Sequence, residues 1–278
     1  MIRFLAFSAS LLALQALAAD VQPIKDAGPY VPSPQSVVSD MLRYADVGAN
    51  DFLIDLGSGD GRIVLTAAKV FGARGFGVEI KEDLVKRANE AAQKEGLAER
   101  VKFIKADLFK TDISQATVIT MYLLPDTVNL LKDKFLTELR PGTRIVSHDY
   151  PLTGWIPEKY VQMDLEDKVA ISGVTTTLIY LYVVPAKVAG RWEAKMPPAV
   201  SKQPATLQLK QQLTRVSGSV RLDGRDVPLE DVKLRGEQLT FKLPGRKGEF
   251  SGHVKGGAIE GSFDTGGTRS PWSATLGG

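Results

Sequence analysis

The sequence predicts an α/β unit, a mostly parallel sheet finished by an antiparallel pair of strands, followed by a small all-β antiparallel meander. Between Asp51 and Val184, short apolar runs alternate with longer amphipathic ones, the pattern of strands feeding crossover helices. Beyond Pro185 that pattern stops and glycine accumulates, with 14 of the 26 glycines in the last 93 of 278 residues. Charge steps at the same place, from 20 basic and 23 acidic residues before Ala186 to 15 basic and 9 acidic from there on. Two properties changing together, with Met196-Pro197-Pro198 close behind, mark a boundary between residues 19–185 and 186–278.

The elements follow in order. Phe52–Leu56 is a strand, Gly61–Phe71 a helix and Gly75–Ile80 a second strand. Glu82–Glu95 is a helix, because Leu84, Val85, Ala88, Ala91 and Ala92 share one face and Gly96 closes it. Val101–Ala106 and Thr117–Tyr122 are the third and fourth strands. Asp126–Leu139 is a helix stopped by Pro141-Gly142, and Thr143–His148 is a fifth strand. Tyr160–Asp167 and Thr175–Val184 follow without a helix between them and form the antiparallel pair. In the last third, Thr206–Val220, Val232–Leu243, Glu249–Val254 and Ala258–Phe263 alternate apolar and polar residues, with turn signals at Asp223-Gly224, Gly236, Gly245 and Gly256-Gly257. Trp192 near its start and Trp272 near its end are expected to plug one end of a small barrel or sandwich.

Residues 1–18 read as a third unit. Arg3, the apolar stretch Phe4–Leu17 and the small-residue site Ala16-Leu17-Ala18 form a secretory signal peptide pattern, which predicts an exported, periplasmic or envelope-associated protein. The alternative is an uncleaved membrane anchor, disfavoured by Ser8, Ser10 and Gln15.

Composition excludes several chemistries. With 44% hydrophobic and 24% charged residues the chain is an ordinary folded one, not a disordered one. A net charge of +3 is far below the basic excess that drives phosphate binding, so nucleic acid is not the expected partner. No cysteine and only two histidines, His148 and His253, leave no thiolate nucleophile and no Cys/His zinc cage, and no metal is expected.

The strongest motif is Asp55-Leu56-Gly57-Ser58-Gly59-Asp60-Gly61-Arg62, where a strand ends and a helix begins. Glycines there allow positive φ and close approach of a ligand to bare backbone, and the helix start offers free N–H donors. The spacing is Gly-x-Gly-x-Gly, with an acid two residues before the first glycine, and the lysine of a phosphate loop is missing. S-adenosyl-L-methionine explains both features, since its ammonium suits a carboxylate and it has no pyrophosphate. Glu79 ends the second strand, where it can accept hydrogen bonds from ribose hydroxyls. Asp107, beside Leu108, ends the third strand and is placed to meet an adenine amino group. Three acids at consecutive strand tips around a glycine turn converge on one crevice.

Pro29-Tyr30-Val31-Pro32-Ser33-Pro34, the glycine motif extended through Ile63-Val64, and Tyr122-Leu123-Leu124-Pro125 resemble the class I methyltransferases related to the mitochondrial lysine methyltransferases of the ATP synthase c-subunit and the adenine nucleotide translocase. The resemblance spans roughly residues 28 to 157. It implies a seven-stranded Rossmann-like methyltransferase sheet and adenosylmethionine held at Asp55, Gly57, Gly59, Gly61, Glu79 and Asp107, with Ser58 and Leu108 beside them. Tyr30 is expected in a lid over the cofactor, or else as a packing aromatic. Tyr122, on an apolar strand tip lacking the Asn/Asp-Pro-Pro-aromatic sequence of base and glutamine methylators, is the candidate catalytic residue, with a core tyrosine as the alternative. His148-Asp149 reads as a strand-end histidine bonded to backbone, with a general base as the alternative. The expected activity is methylation of a protein, on lysine. A small-molecule or lipid acceptor and a non-catalytic exported binding protein are the competing readings. The last third reads as a structural or oligomerising module, with its basic surface holding the protein on anionic lipid headgroups or cell-surface polymers as the alternative.

Overall fold

The computed structural model describes residues 30–277, so the leader expected over residues 1–18 lies outside the described residues. Two sheets organise what is described. The first runs β3-β2-β1-β4-β5-β7-β6, from β1 (Phe52–Leu56), β2 (Arg74–Glu79), β3 (Val101–Lys105), β4 (Val118–Met121), β5 (Arg144–His148), β6 (Lys159–Asp164) and β7 (Thr176–Val183). Only β7 is reversed, pairing antiparallel with both β5 and β6. This is the seven-stranded sheet that the family resemblance implies. Leu53, Ile54 and Leu56 of β1 are fully buried, as expected for a central parallel strand covered on both faces. The chain steps from β1 outward to β2 and β3, then returns to β4 on the other side of β1. That reversal opens a crevice at the C-terminal ends of β1 and β4.

The crossover helices are α2 (Arg62–Phe71) and α3 (Glu82–Lys94). Before the sheet, α1 (Gln35–Tyr44) starts directly after Pro34 and buries Val37, Val38, Met41 and Leu42. Two readings need correction. The single helix expected over Asp126–Leu139 is two, α4 (Pro125–Leu130) and α5 (Lys132–Glu138), joined at Leu131, whose backbone stays right-handed at φ −79°, ψ −12°. The antiparallel pair is not joined by a plain turn, because α6 (Glu166–Ser172) lies between β6 and β7. Its signal was Gly173, which caps it at φ 77° in the left-handed region.

The second sheet is wholly antiparallel, ordered β11-β10-β9-β8-β16-β15-β14-β13-β12. Its strands run from β8 (Gly190–Lys195) to β16 (Arg269–Leu276). Thr206–Val220 is really two strands, β9 (Ala205–Gln212) and β10 (Arg215–Leu222), turning at Leu213, which takes φ 56° without a glycine. Val232–Leu243 likewise splits at Gly236 into β12 (Glu230–Arg235) and β13 (Gln238–Lys242). The two edge strands are joined directly, since only Leu229 separates β11 (Arg225–Pro228) from β12, and its N–H donates to Gly218 O at 2.9 Å.

The two indoles do not share one plug. Trp192 pairs across β16 with Leu276, whereas Trp272 sits four positions earlier on β16 and pairs with Gly261. Trp272 meets Phe241 and Phe250 edge-on, at 5.4 and 5.7 Å between ring centroids. Trp192 instead donates its indole N–H to Val188 O at 2.9 Å.

The sheets meet at the N-terminal end of β5, away from the crevice. Ala186 N–H donates to Gly236 O at 2.8 Å, and Arg235 pairs with Glu158 at 2.7 Å. A side chain at Gly236 would come within 3.1 Å of the Gly142 backbone, so glycine permits the close approach.

Candidate functional site

At the end of β1 the chain must reverse into α2 within five residues, and it does so through three glycines with positive φ: Gly57 at 79°, Gly59 at 54° and Gly61 at 84°. Gly61 at the N-cap of α2 has no side chain to cap it, and the first helical N–H, that of Arg62, donates to Asp60 Oδ1 at 3.3 Å. A Cβ at Gly59 would stand 2.5 Å from the Tyr30 ring, and one at Gly57 would stand 2.6 Å from Leu123. These two glycines therefore keep backbone bare beneath overlying side chains. Gly61 does a different job. Its Cβ would collide with Phe103 at 2.5 Å and Ala88 at 2.9 Å, so it seats α2 on the sheet and does not line the cleft.

Above this turn lies a cleft open to solvent. Asp55, Gly57, Ser58, Gly59, Glu79, Asp107, Leu108, Tyr122 and Tyr30 all line it. Of the residues expected from sequence, only Gly61 stays outside the wall.

Asp55 is 2% exposed and accepts the Thr120 hydroxyl at 2.7 Å. Burial pushes its pKa up to about 7; the Thr120 bond opposes the shift, while the charges of Glu79 and Asp60 add to it. A buried carboxylate at a cleft wall, short of positive charge, is a receptor for an ammonium. Glu79 is held by backbone, accepting from Gly59 N–H at 3.0 Å on one oxygen and from Ile80 and Lys81 N–H at 2.8 and 2.9 Å on the other. It thus ties the glycine turn to the tip of β2, while the oxygen facing Gly59 keeps a lone pair for a ligand hydroxyl. Asp107 Oδ1 accepts Phe109 N–H at 2.9 Å, turning the loop after β3 toward the cleft. Ser58 Oγ is buried without a hydrogen-bond partner and packs against Gly77 of β2, where a Cβ would come within 2.4 Å of it. The donor and acceptor set fits an adenosylmethionine: a carboxylate for its ammonium, a second for its ribose and bare backbone for its amino-acid tail.

The segment before α1 straps the cleft. Arg62 pairs with Asp60 at 2.6 Å and donates to Ser33 O at 2.8 Å. Tyr30 is held against this pair, its pKa raised by partial burial and by the charge of Asp60. Ser33 Oγ is 2.8 Å from Nδ1 of His148. His148 is therefore not bonded to backbone as a strand-end histidine, but fastens the strap to the end of β5. Burial lowers its pKa to about 4, so it is neutral at pH 7.

Tyr122 lies at the β4 tip with its ring 4.0 Å from that of His148 and 6.4 Å from that of Tyr150. It is half-buried, and burial, followed by the neighbouring Asp149, raises its pKa, so it remains a neutral phenol. Sequence reasoning missed Thr120 and the strap contacts, since a threonine inside a strand and a serine between prolines carry no local signal for partners 65 and 115 residues away.

Comparison with known proteins matches this geometry. The model of the ANTKMT methyltransferase domain matches residues 55–159, ending before β7 and the second sheet. A protein-lysine N-methyltransferase of Saccharolobus islandicus (strain REY15A) is 41% identical over 157 residues, covering 56% of this chain and 93% of that protein. The adenine nucleotide translocase lysine N-methyltransferase of Mus musculus is 32% identical, covering 58% of this chain and 66% of that protein. The lysine N-methyltransferase of the ATP synthase C-subunit from Xenopus laevis is also 32% identical, over 47% of this chain and 57% of that protein. Against these two animal proteins the chain spans less than two thirds of the relative's length. Among solved structures, an RNA methyltransferase from Salinibacter ruber in complex with S-adenosyl-L-homocysteine has 45% identity and a TM-score of 0.51, covering 57% of this chain and 96% of that chain.

Proposed function

Since this chain belongs to the S-adenosylmethionine-dependent methyltransferases of the ANTKMT and protein-lysine N-methyltransferase family, we propose that it methylates the side-chain nitrogen of lysine in a protein. The observation that carries the reading is Tyr122, which stands where the acidic cleft opens onto the aromatic cluster of His148 and Tyr150. In the cleft, Asp55 holds the cofactor ammonium, Glu79 the ribose hydroxyls and Asp107 the adenine amino group, while Gly57 and Gly59 let its tail lie on backbone and Tyr30 covers it. When bound, S-adenosyl-L-methionine supplies a sulfonium methyl that the acceptor nitrogen's lone pair takes, the S–C electron pair returning to sulfur. Loss of hydration on entering the cleft mouth disfavours the charged ammonium of an entering lysine and favours the free amine. Tyr122 then orients that nitrogen through its hydroxyl. Export to the envelope, the companion reading, is supported by the Arg3 and Phe4–Leu17 pattern.

A second reading, methylation of RNA, is favoured by the name of the Salinibacter ruber structure. It is weakened by the excess of 23 acidic over 20 basic residues before Ala186, which gives little attraction for a phosphate backbone. Incubation with methyl-labelled cofactor and separated protein, RNA and lipid fractions decides the matter. Label should appear in protein and be recovered as methyllysine after acid hydrolysis; label confined to RNA or lipid would overturn the lysine reading.

The second sheet joins the first at the end opposite the cleft. Deleting residues 186–278 should therefore leave S-adenosylhomocysteine affinity, measured by calorimetry, within about threefold of the full chain. A collapse of affinity would show that residues 19–185 are not the cofactor-binding unit.

A further inference from the structure

Next to the cleft, the end of β5 holds a buried ion pair with no part in the functions assigned above. Asp149 takes a left-handed backbone at φ 61°, a conformation that non-glycine residues rarely adopt and that persists where surroundings enforce it. Its N–H donates to Leu178 O at 2.7 Å, and its Oδ1 accepts Leu178 N–H at 3.1 Å. The Lys168 ammonium, buried at 2% exposure, donates to both carboxylate oxygens at 2.7 Å. The carboxylate also stands 3.5 Å from His148 Nε2. That imidazole, tied to Ser33 through its other nitrogen, packs against the Tyr122 ring. Asp149 therefore stands beside the imidazole that packs on Tyr122 at the mouth of the cofactor cleft, with both its oxygens held by Lys168.

We propose that Asp149 is a positioning residue for methyl transfer, which accepts the Tyr122 hydroxyl proton in a hydrogen bond and leaves the phenol oxygen's lone pairs facing the acceptor nitrogen. A phenol has one proton to give, and once it is directed at a carboxylate the oxygen can only accept. It then binds an N–H of the incoming amine and turns the nitrogen's lone pair away from itself. Asp149 and its hydrogen bond are among the causes that raise the Tyr122 pKa, which agrees with this arrangement. The rate effect rests on the methyltransferase reading, whereas the hydrogen bond does not.

The test uses full-length protein carrying tyrosine labelled with carbon-13 at the ring carbon that bears oxygen. The Tyr122 resonance is identified by its absence in Tyr122→Phe. Asp149→Asn, which keeps the shape and tolerates left-handed backbone, should shift that resonance and lower the pH at which it titrates. It should also cut kcat for labelling of the protein fraction by about 10²-fold, the scale of a misplaced reacting group, with S-adenosylhomocysteine affinity unchanged within twofold. In the Tyr122→Phe background, Asp149→Asn should cost no further rate. Because loss of the Asp149 charge would leave the Lys168 cation without that counter-charge, Asp149→Asn/Lys168→Met is measured alongside and should behave the same way. An unmoved Tyr122 resonance in either folded variant, or rate losses that multiply with Tyr122→Phe, would overturn the proposal. A wild-type enzyme that labels no protein would instead refute the lysine reading, with the resonance still reporting on Asp149.

Discussion

Asp55→Asn is expected to weaken S-adenosylhomocysteine binding at pH 8 by roughly 10- to 150-fold, since a hydrogen bond to a charged group contributes about 1.5–3 kcal/mol. Its effect on pH dependence is more specific. The Asp55 pKa is raised from 3.8 to about 7, chiefly by burial. Below that pH the free protein holds a proton on Asp55 that an ammonium ligand must displace. Wild-type affinity should therefore rise about tenfold per pH unit up to about 7 and level off above it, whereas Asp55→Asn should lack that slope. The same shift acts on stability with a definite sign. Between about pH 4 and 7 the native state keeps a proton that the unfolded chain has lost, so the free protein loses stability as pH rises through that window. At about 1.36 kcal/mol per pKa unit, the penalty above pH 7 is on the order of 4 kcal/mol. Asp55→Asn should thus melt higher than wild type at pH 8 without ligand, and the stabilisation that S-adenosylhomocysteine brings should be larger for wild type at pH 8 than at pH 5. Calorimetry and thermal melts across pH check both. Equal binding slopes for wild type and variant would remove the ammonium from Asp55.

Glu79→Ala is expected to abolish cofactor uptake, with affinity down by more than about 10²-fold, because two losses coincide. The ribose hydroxyls lose their acceptor, and the N–H groups of Gly59, Ile80 and Lys81 lose the carboxylate that now joins the glycine turn to β2. Glu79→Gln keeps one oxygen and should fall between wild type and alanine. Calorimetric titration with S-adenosylhomocysteine measures the series. Wild-type affinity in Glu79→Ala would show that the turn holds its ligand without β2.

Much of this site could be read from the chain because its parts are local. Asp55, Gly57 and Gly59 fall within five residues, where spacing alone encodes a strand, a turn and a helix start. Glu79 and Asp107 are equally legible, since each follows a strand whose end is marked by its own apolar run. Gly61 shows the limit of that reasoning. It shares the motif, yet contact with Phe103 and Ala88, which no spacing reveals, makes it a packing glycine. The Asp149–Lys168 pair illustrates the same limit. Its partners belong to the end of β5 and to α6, and α6 was itself obscured by alternation carried on from Tyr160-Val161-Gln162-Met163. Strand pairing beyond tight turns was legible where glycine marked it and lost at Leu213, where a turn forms without one.

A crystal structure of the full chain with S-adenosylhomocysteine tests the central claim most directly. The account predicts the ligand in the cleft at the ends of β1, β2 and β3, its ammonium on Asp55, its ribose hydroxyls on Glu79 and its sulfur turned toward Tyr122. A ligand bound elsewhere, or a cleft closed by Tyr30 and Leu123 in crystals grown with saturating ligand, would contradict it.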